Sequence, residues 1–161
     1  MRNILVPTDL SIRSLGVIHN AIAHFEKEPL RVVLMHALHM PGSILDLMML
    51  SRRSSHYKLV TEDFRDACEI LRNKYASNIQ KLEVTFMLGN TVALLRNHLD
   101  FHEIDTIVCP EADDYTLPSK ESFNPATLIR KSKHEVLYLP VKKREQVFPT
   151  ATLSELFLAN T

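Results

Sequence analysis

Ile4-Leu5-Val6-Pro7-Thr8-Asp9-Leu10-Ser11, then a helical stripe, then Leu30-Arg31-Val32-Val33-Leu34-Met35-His36-Ala37-Leu38, is the stretch on which the fold turns. Three apolar residues closed by proline read as a short buried strand. From Leu15 the apolar positions Leu15, Ile18, Ile22 and Phe25 recur every three or four residues, which places one stripe along a helix. Pro29 stops that helix. The run from Leu30 to Leu38 that follows is apolar with β-branched Val32 and Val33, and so reads as a second strand. A strand, one helix and a second buried strand make a parallel unit with a crossover, because two strands joined through a helix return in the same direction.

The same alternation continues. Val60, Phe64, Ala67, Leu71 and Tyr75 mark a second helix, and Leu82-Glu83-Val84-Thr85-Phe86 alternates with period two as a third strand ending near Gly89. Val92, Leu95 and Leu99 mark a third helix, and Thr106-Ile107-Val108-Cys109, closed by Pro110, is a fourth strand. Asn124 suits a helix N-cap and Pro125 the first helical position. Val136-Leu137-Tyr138-Leu139, ended by Pro140, is the fifth strand. The expected fold is an open five-stranded parallel sheet with helices on both faces, occupying residues 1–141. Residues 142–161 form a tail, in which Thr152-Leu153-Ser154-Glu155 matches a capping box before Leu156, Phe157 and Leu158. Ligands of such sheets sit at the carboxyl ends of the strands, so the loops of interest are 7–13, 37–43, 89–91 and 109–124.

Composition narrows the function. At 161 residues, with 19 basic and 19 acidic side chains, the chain lacks the positive excess that non-specific nucleic-acid or anionic-membrane binding requires. It holds three glycines, Gly16, Gly42 and Gly89, none near another, so GxGxxG, the P-loop and GxSxG are all excluded. The most apolar loop-like stretch, Ile44 to Leu50, is too short to span a bilayer, which needs about 20 residues. With its neighbour Met40 it reads either as a lid or docking surface or as a short helix packed on the sheet. Two cysteines without CxxC spacing are expected to be reduced thiols. Met1-Arg2-Asn3 runs into a strand without the apolar stretch of a secretory leader, so a cytoplasmic location is expected.

In order and spacing, residues 2–141 resemble the universal stress protein family. The resemblance is carried by Ile4 to Ser11 as first strand and ligand-facing turn, and by Val33-Leu34-Met35-His36-Ala37 as the end of the second strand. Asp105-Thr106-Ile107-Val108 and Val136-Leu137-Tyr138-Leu139-Pro140 look like its fourth and fifth strands. ATP-binding members carry Gly-x2-Gly-x9-Gly-Ser/Thr after the fourth strand. Here Pro110, Asp113 and Ser122 or Phe123 stand in the glycine positions, which makes this a divergent member without the phosphate loop. Proline removes a donor, and Glu111, Asp113, Asp114 and Glu121 face Lys120 alone in the same loop, a charge balance that repels polyphosphate.

The resemblance implies a non-catalytic, homodimeric stress-response or signalling module, paired through the last strand near Val136–Val141, with an unidentified protein partner as a further prospect. No cofactor is expected on this reading. The alternative is a sensor of ATP, another adenine nucleotide or adenosine. It would use Thr8, Asp9, Ala37 (through its backbone) and Cys109 without the glycine motif. Each residue also has a plainer reading: Asp9 as a turn-former or helix cap, Cys109 and Cys68 as small buried hydrophobes. His98 and His102, four apart, have a chelating spacing, yet no third ligand or HExxH pattern accompanies them and no metal is expected. No nucleophile–base arrangement stands out, and neither nucleic acid nor membrane is expected as a partner.

Overall fold

The computed structural model describes residues 1–40, 57–112 and 114–141. Five strands, β1 (Arg2–Pro7), β2 (Leu30–Leu38), β3 (Ile79–Leu88), β4 (Thr106–Pro110) and β5 (Val136–Leu139), form one sheet in the order β3-β2-β1-β4-β5. Every pairing is parallel. Between them lie a short 3-10 turn (Ile12–Leu15) and the helices α1 (Gly16–His24), α2 (Glu62–Lys74), α3 (Val92–Phe101) and α4 (Ala126–Ser132). The open parallel sheet expected from the sequence is the fold observed. The 40–50 segment, apart from Met40, and the 142–161 tail lie outside the described residues.

The alternation of side chains along β1 and β2 divides the core in two. Ile4, Val6, Val32 and Leu34 point to one face and pack with Val17, Ile18 and Ala21 of α1 and Phe64, Ala67 and Leu71 of α2. Leu5, Val33, Met35 and Ala37 point to the other, against Leu95 and Leu99 of α3 and Ile129 of α4. The middles of both central strands, Ile4–Val6 and Val32–Met35, are therefore apolar on both faces, as a sheet covered on two faces requires. The starts of α2 and α3 are capped by hydroxyls: Thr61 accepts from the Phe64 N–H at 3.1 Å and Thr91 from the Leu94 N–H at 3.2 Å.

Several boundaries differ from the sequence reading: β1 starts at Arg2 rather than Ile4, and β1 and β4 each take in the proline that closes them. β3 begins three residues earlier than Leu82, because Ile79 aligns with Leu30 across an irregularity at the sheet edge, where Gln80 and Lys81 face solvent. α4 begins at Ala126 with Pro125 in the capping position, one residue later than expected. Asn124 still serves the helix start, its Oδ1 accepting the Ala126 N–H at 3.0 Å.

The strand order reverses between β1 and β4. Chain leaving the carboxyl end of β1 goes toward β2, and chain leaving β4 goes toward β5, so a cleft opens between the two loops. That is where the sequence-derived candidates converge.

Candidate functional site

The turn after β1 is locked by its own side chains. Leu10 adopts a left-handed backbone with φ 65°, a conformation that costs a β-carbon-bearing residue about 1–2 kcal/mol. It is held from both sides: the Thr8 Oγ1 accepts the Leu10 N–H at 3.0 Å, and the Asp9 Oδ1 accepts the Ser11 N–H at 3.0 Å. Ser11 then caps the 3-10 turn, and its hydroxyl donates back to the same Asp9 oxygen. The Thr8 and Ser14 hydroxyls meet at 2.6 Å.

The other carboxylate oxygen of Asp9 is taken by the distant 111–123 loop. Thr116 donates to Oδ2 twice, from its N–H and from its hydroxyl, each at 2.9 Å. Asp9 is only 4% exposed and accepts four hydrogen bonds from its own chain. Burial alone pushes its carboxyl pKa up, but the donors of Ser11 and Thr116 outweigh burial and hold it below the ordinary value. Asp9 is therefore an ionised, fully engaged carboxylate.

Tyr115 enters the same place. Its hydroxyl donates to the Thr8 carbonyl at 3.0 Å, and its ring lies parallel to that of His36, with centroids 6.4 Å apart. Burial, together with the Asp9 charge, pushes the Tyr115 hydroxyl well above its usual pKa, against a hydrogen bond from the Ala37 backbone. His36 is fully buried and bonded at both ring nitrogens. A carbonyl only accepts, so the Thr8 oxygen 2.9 Å from Nδ1 places the proton there, and Nε2 takes the Ser122 hydroxyl at 2.8 Å. Burial lowers the His36 pKa, with the Thr8 bond and Asp9 charge opposing it, so the ring is neutral near pH 7.

The end of β2 is covered in the same way. The Ala37 carbonyl accepts the Phe123 N–H at 3.1 Å, the His39 N–H donates to the Glu121 carbonyl at 2.7 Å, and Leu38 bridges Ser122 in antiparallel sense. Thus Thr8, Asp9 and Ala37 do come together, and the 111–123 loop uses the polar groups they present. Tyr115 and Thr116 were not singled out by the sequence reading. The signal available was a lone aromatic, Tyr115, in the otherwise polar and proline-bearing run between Pro110 and Phe123.

Cys109, 7% exposed at the end of β4, lies on the wall of the remaining cleft, a cavity of about 690 Å³ at the carboxyl ends of β1, β4 and β5. Burial pushes its thiol up to about 12, so it is a neutral wall atom rather than a nucleophile. Cys68, partly buried on α2, is also pushed to about 12 by burial. The Arg13 Nη2 donates to the Asp114 carbonyl at 3.0 Å, and its Nη1 lies 3.8 Å from the Asp114 carboxylate, tying the cleft loop to the 3-10 turn.

His98 and His102 sit elsewhere, at the carboxyl end of α3 beside β3. Their rings are 4.6 Å apart, His98 Nε2 lies 3.0 Å from the Thr85 hydroxyl, and His102 Nδ1 lies 4.0 Å from Glu83, which Arg31 holds at 2.6 Å. Among the described residues no group of three potential metal ligands occurs. Burial and the neighbouring His102 lower the His98 pKa to about 4 from an ordinary 6.5. Between those values the unfolded imidazole takes up a proton that the folded one refuses. Stability from this site is therefore complete above pH 6.5 and falls away as the pH drops toward 4. His36 and His102, also shifted down, act in the same direction. His98→Gln, which can still bond Thr85, is expected to flatten part of this slope. Urea midpoints at about pH 7 and pH 4.5 measure it, and an unchanged difference between the two would refute the assignment.

No protein-family model matches the sequence, and no curated protein is similar to it in sequence. Solved structures are similar in fold. The hypothetical protein PH0823 superposes with a TM-score of 0.56 at 17% identity, over 88% of this chain and 97% of the other. The hypothetical protein MJ0577, the subject of a structure-based assignment of biochemical function, matches with a TM-score of 0.53 at 17% identity over the same shares. The universal stress protein UspA from Lactobacillus plantarum matches with a TM-score of 0.53 at 18% identity, over 86% of this chain and 97% of its own. At these identities the likeness is one of fold: the chain has the universal stress protein fold.

Proposed function

We propose that this protein is a non-catalytic, homodimeric stress-response or signalling module of the cytoplasm, whose nucleotide cleft is closed at its base-reading end by its own chain. The observation that carries this reading is the state of Asp9. A carboxylate poised to receive a ligand keeps acceptor positions open, whereas this one already holds four donors from Ser11 and Thr116. A phosphate grip is also poorly supplied. Pro110 and Pro125 lack N–H groups, and the Ala126 N–H is already bonded to Asn124.

Pairing of two copies is supported by the exposed edge of β5. Among the described residues that strand bonds only to β4, and Tyr138 in its centre is 50% exposed. An uncovered apolar edge is a template for another strand, and antiparallel pairing near Val136–Val141 across a two-fold axis would satisfy it. Both cysteines are free, which fits a reducing compartment. No helix among the described residues is long and apolar enough to cross a membrane.

Two measurements test the proposal. Size-exclusion chromatography with light scattering at micromolar concentration is expected to give twice the chain mass, and a clean monomer overturns the dimer. Calorimetric titration with Mg-ATP is expected to give no binding heat. Saturable binding would instead favour the second reading, an adenine-nucleotide or adenosine sensor, which the open 690 Å³ cavity beside Asp9 keeps in play.

A further inference from the structure

The cavity at the carboxyl ends of β1, β4 and β5 is not filled by the loop that engages Asp9. Its volume, about 690 Å³, is within the range of sites that enclose a drug-sized molecule. Its described walls include Pro7, Cys109, Ile129 and Pro140, with the rings of Tyr115 and Tyr138 also lining it. Such a surface gains by excluding water from apolar and aromatic groups and offers faces for another ring.

Its charges point the same way. Among the described lining residues two guanidinium groups, Arg13 and Arg130, meet three carboxylates, Asp9, Glu111 and Asp114. Arg13 is engaged with Asp114, Arg130 donates to the Thr127 hydroxyl, and Asp9 is saturated from within the chain. Nothing in that set supplies a concentrated positive field for phosphate, sulfate or carboxylate. An anion entering the cavity would lose its hydration without gaining a dedicated partner. A neutral molecule incurs no such penalty. The thiol of Cys109 is protonated and adds no charge to the floor.

We propose that this cavity binds an uncharged, predominantly apolar, ring-bearing organic molecule between its apolar floor and its two tyrosines, and that it discriminates against anionic ligands of the same shape. The inference concerns the part of the cleft that the loop engaging Asp9 leaves open, and it goes beyond the closed base-reading end.

The test uses two fluorescent probes with one ring skeleton, neutral N-phenyl-1-naphthylamine and its sulfonated counterpart 8-anilino-1-naphthalenesulfonate. The neutral probe is expected to brighten saturably with one site per chain and to bind roughly tenfold more tightly than the sulfonate. Ala126→Trp, which places a large side chain in the wall, is expected to weaken the neutral probe by about tenfold while thermal melting reports a folded chain. If that variant does not fold, Tyr138→Ala replaces a half-exposed wall ring and is expected to weaken binding several-fold. Absence of saturable binding overturns the proposal. So does equal or tighter binding of the sulfonate, or unchanged binding in a folded variant. None of these results bears on the Mg-ATP titration, so the two readings fail separately.

Discussion

Asp9→Ala is expected to lower the stability of the folded chain by about 2–4 kcal/mol, an unfolding effect rather than a quiet loss of a ligand contact. The carboxylate is 4% exposed, and its removal leaves the Ser11 and Thr116 donors without their acceptor. It also releases one of the two clamps on Leu10, whose left-handed backbone depends on the Thr8 and Asp9 side chains. Because Thr116 is 107 residues away, the same substitution detaches the cleft loop from the β1 turn. Asp9→Asn keeps the shape but turns one acceptor into a donor facing Thr116, and is expected to fall between wild type and alanine. Acid distinguishes this from a generic core defect. The folded pKa of Asp9 lies below its ordinary 3.8, so its contribution is complete above pH 3.8 and is lost as the pH falls through the lower, folded value. The gap between wild type and Asp9→Ala should therefore narrow below that pH. Urea unfolding at neutral pH and near pH 3 measures both effects. A variant as stable as wild type would show that the four bonds contribute nothing net.

The fold was legible because its signals are local. β2 and β5 run from Leu30 to Leu38 and from Val136 to Leu139, as the apolar runs predict, because Pro29 and Pro140 punctuate them. The helix stripes likewise name the residues that are buried, Phe64, Ala67 and Leu71 among them. The extra residues of β3 were not legible, since Ile79 and Lys81 are strand through their pairing with Leu30 and Arg31 of β2, and exposed Gln80 falls at the irregularity between those pairs, where no pattern marks it. The site was half legible. Thr8, Asp9 and Ala37 sit at strand ends, where topology alone directs attention. What occupies them was hidden, because Tyr115, Thr116 and Phe123 arrive from a loop about 80 to 110 residues further along the chain, and loop closure leaves no periodicity to read. Proline and acidic residues in the 110–123 run do announce the absence of a glycine cradle. They do not announce that the loop folds inward.

Tyr115→Ala is the substitution that separates a closed cleft from an absent one. The tyrosine hydroxyl bonds the Thr8 carbonyl, its ring lies against His36, and the Ala37 backbone bonds its oxygen, so one side chain engages the ends of both β1 and β2. Loss of that partly buried ring is expected to cost about 2–3 kcal/mol, whereas Tyr115→Phe, which keeps the ring and loses only the hydroxyl, should cost about 1 kcal/mol. The consequence for ligands is larger than the consequence for folding. With Tyr115 truncated, the Thr8 carbonyl and the Ala37 N–H regain free hydrogen-bonding positions beside the Nδ1 edge of His36. Adenosine is the probe of choice because it tests this end of the cleft alone: it carries no phosphate, so the missing glycine cradle and the acidic loop cannot mask binding. Calorimetry is expected to find no adenosine binding to wild type and binding tighter than about 1 mM to Tyr115→Ala, with Tyr115→Phe resembling wild type. Silence in all three proteins would mean that the backbone groups at β1 and β2 do not make a nucleoside site even when uncovered. Binding by wild type would mean that the loop yields to the ligand, and the protein would then be a sensor whose resting state is held by its own tyrosine.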